Sequence, residues 1–510
     1  MKQVEKWKRY ELTLNGPENG NPFRDVELTA TFENNNHSVK VDGFYDGNDV
    51  YKVRYIPEVE GKFQVITHSN VKELDNVTDE FMVTPAEKDN HGPVRVAGKT
   101  HFSYADGTRY ILGTTAYAWT TQPKRVQDQT LETLKENSFN KVRMLVFPKS
   151  YDYNTTEPEI YPFEGAPKVL RGGVDWIFDA KDTGFDFTRP VPKYFQNLEN
   201  NIEKLDKLGV EADLILFCPY DRWGFARMGL ENNLHYLKYV IARLASYKNV
   251  WWALANEFDL MDLVGQIPLG DWDKIGQFVH EKDPSNHLES IHNFYDPPQH
   301  KDTIKNWYDQ TKPWITHVSV QSDNVFLIPK WIKEYQKPVV DDECRYEGNI
   351  EFGWGDNTAQ GMMDNFWRVI LRGGGCTHGE TYIDKPNTNR PIWWAHGGKL
   401  YGESHKKINF LSKLLKDNGF DWVRPQATSG PTWELAVGST PDEKNWLVYF
   451  GENQPEFELF SFLPKGKKYS AKLINAWNET IQDFDGKITN DEKFHLPRKE
   501  YQAMLLTEKG

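Results

Sequence analysis

Two acidic residues, each closing an apolar run, could carry chemistry in this chain. Tyr247 to Leu260 reads YKNVWWALANEFDL, and Val250, Trp251, Trp252, Ala253, Leu254 and Ala255 form a continuous apolar stretch that breaks into Asn256–Glu257. A short run without polar alternation is the pattern of a strand buried on both faces, the parallel-sheet case. Lys337 to Glu343, KPVVDDE, has the same form, with Val339–Val340 running into Asp341, Asp342 and Glu343. An acid at the carboxyl end of such a strand stands where α/β folds keep their reactive groups. Two such acids on one face are the equipment of a glycosidase: one gives and takes a proton, the other attacks the sugar carbon or activates water. Glu257 alone has an ordinary reading as a helix-start acid. The pair is what points to chemistry.

The stretches around these acids have the periodicity needed to hold them. Apolar runs at Tyr110–Ala116, Val142–Phe147, Ala212–Phe217, Val250–Ala255, His287–Ile291, Trp314–Val320, Val339–Glu343 and Gly373–Gly379 read as eight strands. Amphipathic patterns lie between them, such as Leu198, Ile202, Leu205 and Leu208 followed by Gly209, and Leu234, Leu237, Ile241 and Leu244. Eight strand–helix units over roughly 300 residues fit a (β/α)8 TIM barrel with insertions. One insertion, Lys149 to Phe187, carries Tyr151, Tyr153, Tyr161, Phe163, Trp176 and Phe178. A long loop in a compact domain is usually functional. This one leaves the carboxyl end of a strand, so it is expected to wall the site and to close one end of a groove, which favours short substrates cut from an end.

Before and after this region the pattern alternates with period two. Val26–Phe32, Tyr51–Ile56 and Phe63–Ile66 precede it, and Trp446–Phe450, Ser470–Ile474 and Ala503–Leu506 follow it. The domain reading is an N-terminal β-sandwich over residues 1–88, a catalytic barrel over 89–420 and a C-terminal β-sandwich over 421–510. The polar stretch PAEKDNHGPVRVAGKT is the linker into the barrel, followed by a hairpin turning at Asp106–Gly107.

Composition narrows the partners. The 510 residues carry a formal net charge of −13 with no long basic run, which argues against nucleic acid and anionic membrane. Mean hydropathy is −0.70, and no apolar run approaches the roughly 20 residues of a membrane span. Three cysteines, Cys218, Cys344 and Cys376, are an odd number at no zinc-binding spacing, which suits a reducing compartment. The first residues, MKQVEKWKRYELTLNG, contain no apolar secretion segment. A cytoplasmic enzyme acting on a carbohydrate is the expectation, and a homo-oligomer is compatible with it.

The chain also resembles a family. Gly113–Thr114–Thr115–Ala116 with Trp119, Arg143 within the second strand, Asn256–Glu257 after the fourth, Lys337–Pro338 through Glu343 in the seventh and Ala476–Trp477–Asn478 near the end are similar to clan A glycoside hydrolases, in particular to apiosidase-like barrel proteins flanked by two β domains. The resemblance implies that Glu257 is the general acid/base and Glu343 the nucleophile of a retaining mechanism, that Asn256 binds the sugar 2-hydroxyl, and that Arg143 holds the nucleophile ionised. It departs from the clan pattern in two places. The tyrosine often found after strand six is absent, and His317 or Gln321 is left to take its place. Strand eight ends in Thr377–His378–Gly379–Glu380–Thr381–Tyr382 where the clan often has Trp, so Glu380 is a rival nucleophile or a sugar-binding acid.

Trp119, His292, His378 and Tyr382 complete the expected substrate contacts, with Trp393 and Trp394 either a stacking platform or core. Histidines at strand ends, with Asp341, could alternatively bind a metal. Metal-dependent barrel hydrolases usually place two histidines on strand one, and here strand one reads Thr–Thr–Ala–Tyr–Ala–Trp. The expectation is therefore no metal and no cofactor. An endo-acting polysaccharide hydrolase and a non-catalytic carbohydrate-binding barrel are the alternatives to an exo-acting glycosidase.

Overall fold

In the computed structural model, the apolar runs of the middle region pair into a ring of parallel strands. The structure describes residues 1–510 except 36, 111–112, 152, 154–155, 169–182, 295–306, 384–391, 429–431 and 510, so Trp176 and Phe178 of the insertion lie outside the described residues. The ring strands are β1 (Thr114–Thr115), β2 (Lys141–Leu145), β3 (Glu211–Phe217), β4 (Val250–Ala255), β5 (Glu289–Ser290), β6 (Val318–Gln321), β7 (Val339–Glu343) and β8 (Gly375–Cys376). β1 to β5 pair in chain order, and so do β6 to β8. A parallel bridge from His292 to Ser319 joins the two groups, and another from Thr114 to His378 returns from the end of β8 to β1. Every residue of β4 is buried, as its unbroken apolar run requires.

Helices run antiparallel to the strands outside the ring. Leu198, Ile202 and Leu205 of helix Pro192–Lys207 are its buried stripe. The helix stops at Leu208–Gly209, with Gly209 at φ +69° in the left-handed conformation that a side chain resists.

The ring interior is partly ionic. Lys141 Nζ lies 2.8 Å from both Asp213 Oδ2 and Asp342 Oδ1, all three side chains being almost fully buried. Asp342 also accepts from Ser319 Oγ at 2.6 Å and Thr377 Oγ1 at 2.7 Å. These bonds tie β2, β3, β6 and β7 to one another and to Thr377 just past β8.

The amino end of the ring is closed by the linker. Val94–Ala97 pairs antiparallel with His101–Tyr104, a strand not expected in that polar stretch. Phe102 and Tyr110 pack there against Trp251, Leu288 and Val340. His317 belongs to this plug, with its ring 5.4 Å from Phe102 and 5.3 Å from Trp251.

Residues before the linker form two facing sheets, a five-stranded one and a three-stranded one, around Tyr10, Phe32, Phe63 and Phe81. They dock on the ring helices through buried charges. Arg54 Nη1 reaches Glu199 Oε1 at 2.7 Å and the carbonyl of Arg243 at 3.0 Å, while Arg243 reaches Asp46 Oδ1 at 2.7 Å and Glu199 Oε1 at 2.8 Å.

After helix Ser404–Asp417 comes a six-stranded sheet with a separate short pair, Phe457–Glu458 and Phe494–His495. Its strand Asn445–Gly451 sends Leu447 and Tyr449 into the core of the ring region and Trp446, Val448 and Phe450 to the other side. Period-two alternation thus serves two cores here, which is why both faces are apolar.

Candidate active site

β7 reaches the carboxyl end of the ring through an irregular register. Val320 pairs with Asp341, but Gln321 pairs with Glu343, leaving Asp342 as an extra residue. A bulge of this kind re-aims the side chains that follow it. It lets the consecutive residues Asp342 and Glu343 both turn inward, Asp342 to Lys141 and Glu343 to Arg143. Asp341 faces away. Both its carboxyl oxygens are buried, with only the Ser322 backbone N–H near them among the described residues, and burial raises its carboxyl far above the usual range.

Glu343 faces two donors, Tyr117 and Arg143, and the His292 imidazole. The Tyr117 hydroxyl is hydrogen-bonded to its Oε1, Arg143 Nη1 is 3.2 Å from the same oxygen, and His292 Nε2 is 3.4 Å away. Arg143 also donates to the Tyr117 hydroxyl at 2.7 Å and, through Nη2, to Asn256 Oδ1 at 2.9 Å. The opposite ring nitrogen of His292 is 2.9 Å from Ser319 Oγ, which fixes the imidazole from behind. Burial alone would push the Glu343 carboxyl up. His292, Arg143 and Tyr117 outweigh it and bring it down to about 2.

Glu257 has the opposite surroundings. It follows β4 and opens the short helix Phe258–Leu263, with φ +52° and ψ +57°. A non-glycine residue held in the left-handed region costs on the order of 1 kcal/mol or more, a strain that persists where the surroundings impose it. The side chain is buried and its Oε2 has no hydrogen-bond partner among the described residues, while the Tyr220 hydroxyl faces the carboxyl as a donor. Burial, reinforced by the charge of Glu343, raises the Glu257 carboxyl to about 8. The surroundings therefore favour the ionised form of Glu343 and the protonated form of Glu257.

The other expected positions divide. Asn256, Arg143 and His292 meet at Glu343 as described. Gln321 is the register partner of Glu343, half-buried, with Oε1 unpartnered among the described residues. Trp119 is instead a core residue: fully buried, with Nε1 donating to Met144 Sδ at 3.3 Å. His317 does not reach Glu343, because the strand places it at the amino end. Tyr117 takes the place expected after strand six, with Tyr346 buried beside it near the same carboxylate. Gly379 permits this, since a Cβ there would stand 2.0 Å from the Tyr346 ring.

His378 is buried against Phe139, 5.1 Å between rings, and bonded to Thr114 Oγ1 at 3.1 Å. Glu380 accepts from the backbone N–H of Tyr401 at 2.6 Å and Gly402 at 2.8 Å. Glu347 accepts from Glu403 N at 3.0 Å and Ser404 N at 3.1 Å, and Tyr382 donates to it at 3.1 Å. These contacts anchor the start of helix Ser404–Asp417, where an anionic oxygen suits the unpaired N–H groups. Among the described residues, Glu347, His378 and Glu380 are the one group that could hold a metal, with ligand atoms within 4.8 Å of one another. Their carboxylates are already engaged by that helix start.

The insertion contributes an aromatic wall. The Tyr151 ring meets Tyr220, Trp354 and Trp394 at 5.1, 6.2 and 6.0 Å. Trp394 joins this wall, whereas Trp393 is core and donates to Thr114 Oγ1 at 2.9 Å. Tyr117 and Tyr220 were hidden in the sequence inside apolar strand ends, where an aromatic reads as packing. Their only signal was a position at the carboxyl end of a ring strand.

A family model described as the apiosidase-like catalytic domain matches residues 97–422. The chain belongs to the apiosidase-like family. Two domains of unknown function flank the match, DUF5060 over residues 3–70 and DUF5605 over 433–507. A solved structure of a candidate glycoside hydrolase from Bacteroides vulgatus ATCC 8482 is 36% identical, covers all of both chains and superposes with a TM-score of 0.89. A glycoside hydrolase family 5 structure from the same organism shares the fold at a TM-score of 0.59 with 14% identity, over 82% of this chain and 94% of that one. A further structure described as a glycoside hydrolase gives a TM-score of 0.59 at 15% identity, over 82% and 97%. No curated protein matches the chain. Membership of the apiosidase-like family and these relatives make the chain a glycosidase. Among the described residues no helix is long and apolar enough to cross a membrane.

Proposed function

We propose that the chain is a retaining, exo-acting glycoside hydrolase built on a (β/α)8 barrel over residues 89–420, between β-sandwich domains at 1–88 and 421–510. The closed circuit of parallel pairings supports the barrel. The observation that carries the mechanism is the unequal surroundings of the two carboxyls, Glu343 bonded by Tyr117 and Arg143 and Glu257 buried with Tyr220 facing it. Glu257, raised by burial, holds the proton that the departing glycosidic oxygen needs. Glu343, kept ionised by its donors, attacks the anomeric carbon and forms a glycosyl-enzyme ester. Glu257, now deprotonated, takes a proton from water as that water attacks the ester-linked carbon, and Glu343 is released. Asn256, fixed through Arg143, stands beside both carboxyls, where the sugar 2-hydroxyl is expected.

Exo action rests on the wall beside the site. Tyr151 and Tyr153 of the insertion pack against Trp354 and Phe352 of the segment after β7, which supports closure at one end of the groove.

The test is hydrolysis of a panel of nitrophenyl α- and β-glycosides by the natural enzyme, Glu257→Gln and Glu343→Gln. Both variants are expected to lose at least about 10³-fold in kcat/KM. Azide is expected to restore turnover of Glu257→Gln on activated substrates. A fully active Glu343→Gln would remove the proposed nucleophile.

A further inference from the structure

We propose that Lys149 is the charge that selects the substrate, and that the sugar bound between Glu257 and Glu343 carries an anionic substituent, a uronic carboxylate or a sulfate ester. The proposal rests on the glycosidase reading above and adds the substrate class to it.

Lys149 follows the end of β2, at the opening of the insertion, and is 2% exposed. Its ammonium lies 3.8 Å from the Tyr117 ring centre, 4.3 Å from that of Tyr220 and 4.2 Å from that of Trp394. Tyr117 is the residue bonded to Glu343, and Tyr220 is the one facing Glu257. The ammonium therefore sits between the two rings whose hydroxyls address the two acids.

Among the described residues Lys149 makes neither a hydrogen bond nor an ion pair; three rings face it, burial lowers its pKa, and Cys218, Glu343 and Glu257 act on its charge only from a distance. Ring faces attract a cation, but they supply none of the acceptors its three N–H groups lost on leaving water. The other fully buried lysine of the ring, Lys141, shows the contrast. It has two carboxylate partners at 2.8 Å each. The chain thus satisfies one buried lysine internally and leaves the other bare at the site.

The local charges point the same way. Arg143 is paired with Glu343, and Lys141 with Asp213 and Asp342, so Lys149 is the one of these three cations that no carboxylate pairs with directly among the described residues. A neutral sugar brings hydroxyls only. An anionic sugar gives Lys149 the charged acceptor it lacks, through a charge-assisted hydrogen bond.

The test pairs binding with turnover. Calorimetry on the natural protein and Lys149→Met would compare glucuronate, galacturonate and the 6-sulfates of glucose and galactose with glucose and galactose themselves. At least one anionic sugar is expected to bind the natural protein about tenfold tighter than its neutral parent, and Lys149→Met is expected to lose that preference. The member that binds best separates carboxylate from sulfate. Equal or tighter binding of the neutral parents overturns the proposal, as does a preference that survives Lys149→Met, or binding of no sugar of either kind. The natural protein's own preference is read without the variant, so a misfolded Lys149→Met does not decide the matter. Nitrophenyl uronides and their neutral counterparts, assayed alongside, separate the two readings. Faster hydrolysis of the neutral glycosides would overturn the anionic sugar and keep the glycosidase. Tight binding of an anionic sugar with no hydrolysis of any glycoside would keep Lys149's role and remove the mechanism.

Discussion

At the scale of single residues, the site is organised by what surrounds each carboxyl. Glu257 near 8 must be protonated to act, so kcat/KM is expected to fall about tenfold per pH unit above that value. Glu343, held near 2 by its surroundings, is expected to give no acid limb above about pH 4. The same raised value has a consequence for stability. The folded state keeps a proton on Glu257 that the unfolded chain, titrating near 4.5, has already released. Stability contributed by that proton is complete below about 4.5 and is lost as pH rises through about 8. Glutamine has no such loss. Glu257→Gln is therefore expected to melt higher than the natural protein, by several degrees near pH 8.5 and by much less near pH 5. Melting curves at the two pH values check this, and an equal gain at both would mean that Glu257 titrates normally.

At the scale of elements, what the sequence made legible depended on length. β4 and β7 could be read because several apolar residues run straight into an acid. β1 survives as two residues, and only the position of Tyr110–Ala116 before a helix marked it. Placing His317 beside Glu343 failed because a strand's two ends look alike in sequence, and only the plug formed by Phe102 and Trp251 distinguishes them. The bulge at Asp342 left no trace beyond an unusual Asp–Asp–Glu run. The partners of Glu380 come from a segment some 20 positions later, so no local pattern announced that it anchors a helix. Lys141 shows how closely the strands depend on one another. Lys141→Met leaves Asp213 and Asp342 buried without their cation, and a loss of roughly 3–5 kcal/mol in unfolding free energy is expected. Chemical denaturation measures it, and a loss under 1 kcal/mol would mean the carboxylates take up protons at little cost.

At the scale of the whole molecule, the three folding regions are joined by buried contacts. The core of the ring region extends without a break to Leu447 and Tyr449 of the carboxyl-terminal sheet. On the other side Arg54, Glu199, Arg243 and Asp46 form a buried ionic cluster between the first sheets and two ring helices. Such a cluster lends little stability when intact and costs several kcal/mol when one member is removed. Calorimetry is expected to show the first sheets and the ring melting together in the natural protein and separately in Arg54→Met. Two transitions already present in the natural protein would show that the cluster does not couple them.

The same cluster sets a timetable for synthesis. Arg54 leaves the ribosome with the first sheets, but the carbonyl it binds on Arg243 is encoded 189 positions later. At about 5–20 residues per second the wait is roughly 10–40 s. Through that interval the ring-facing side of the nascent sheets, with Arg54 and Asp46, stays open to solvent and to any chaperone that attends the ribosome.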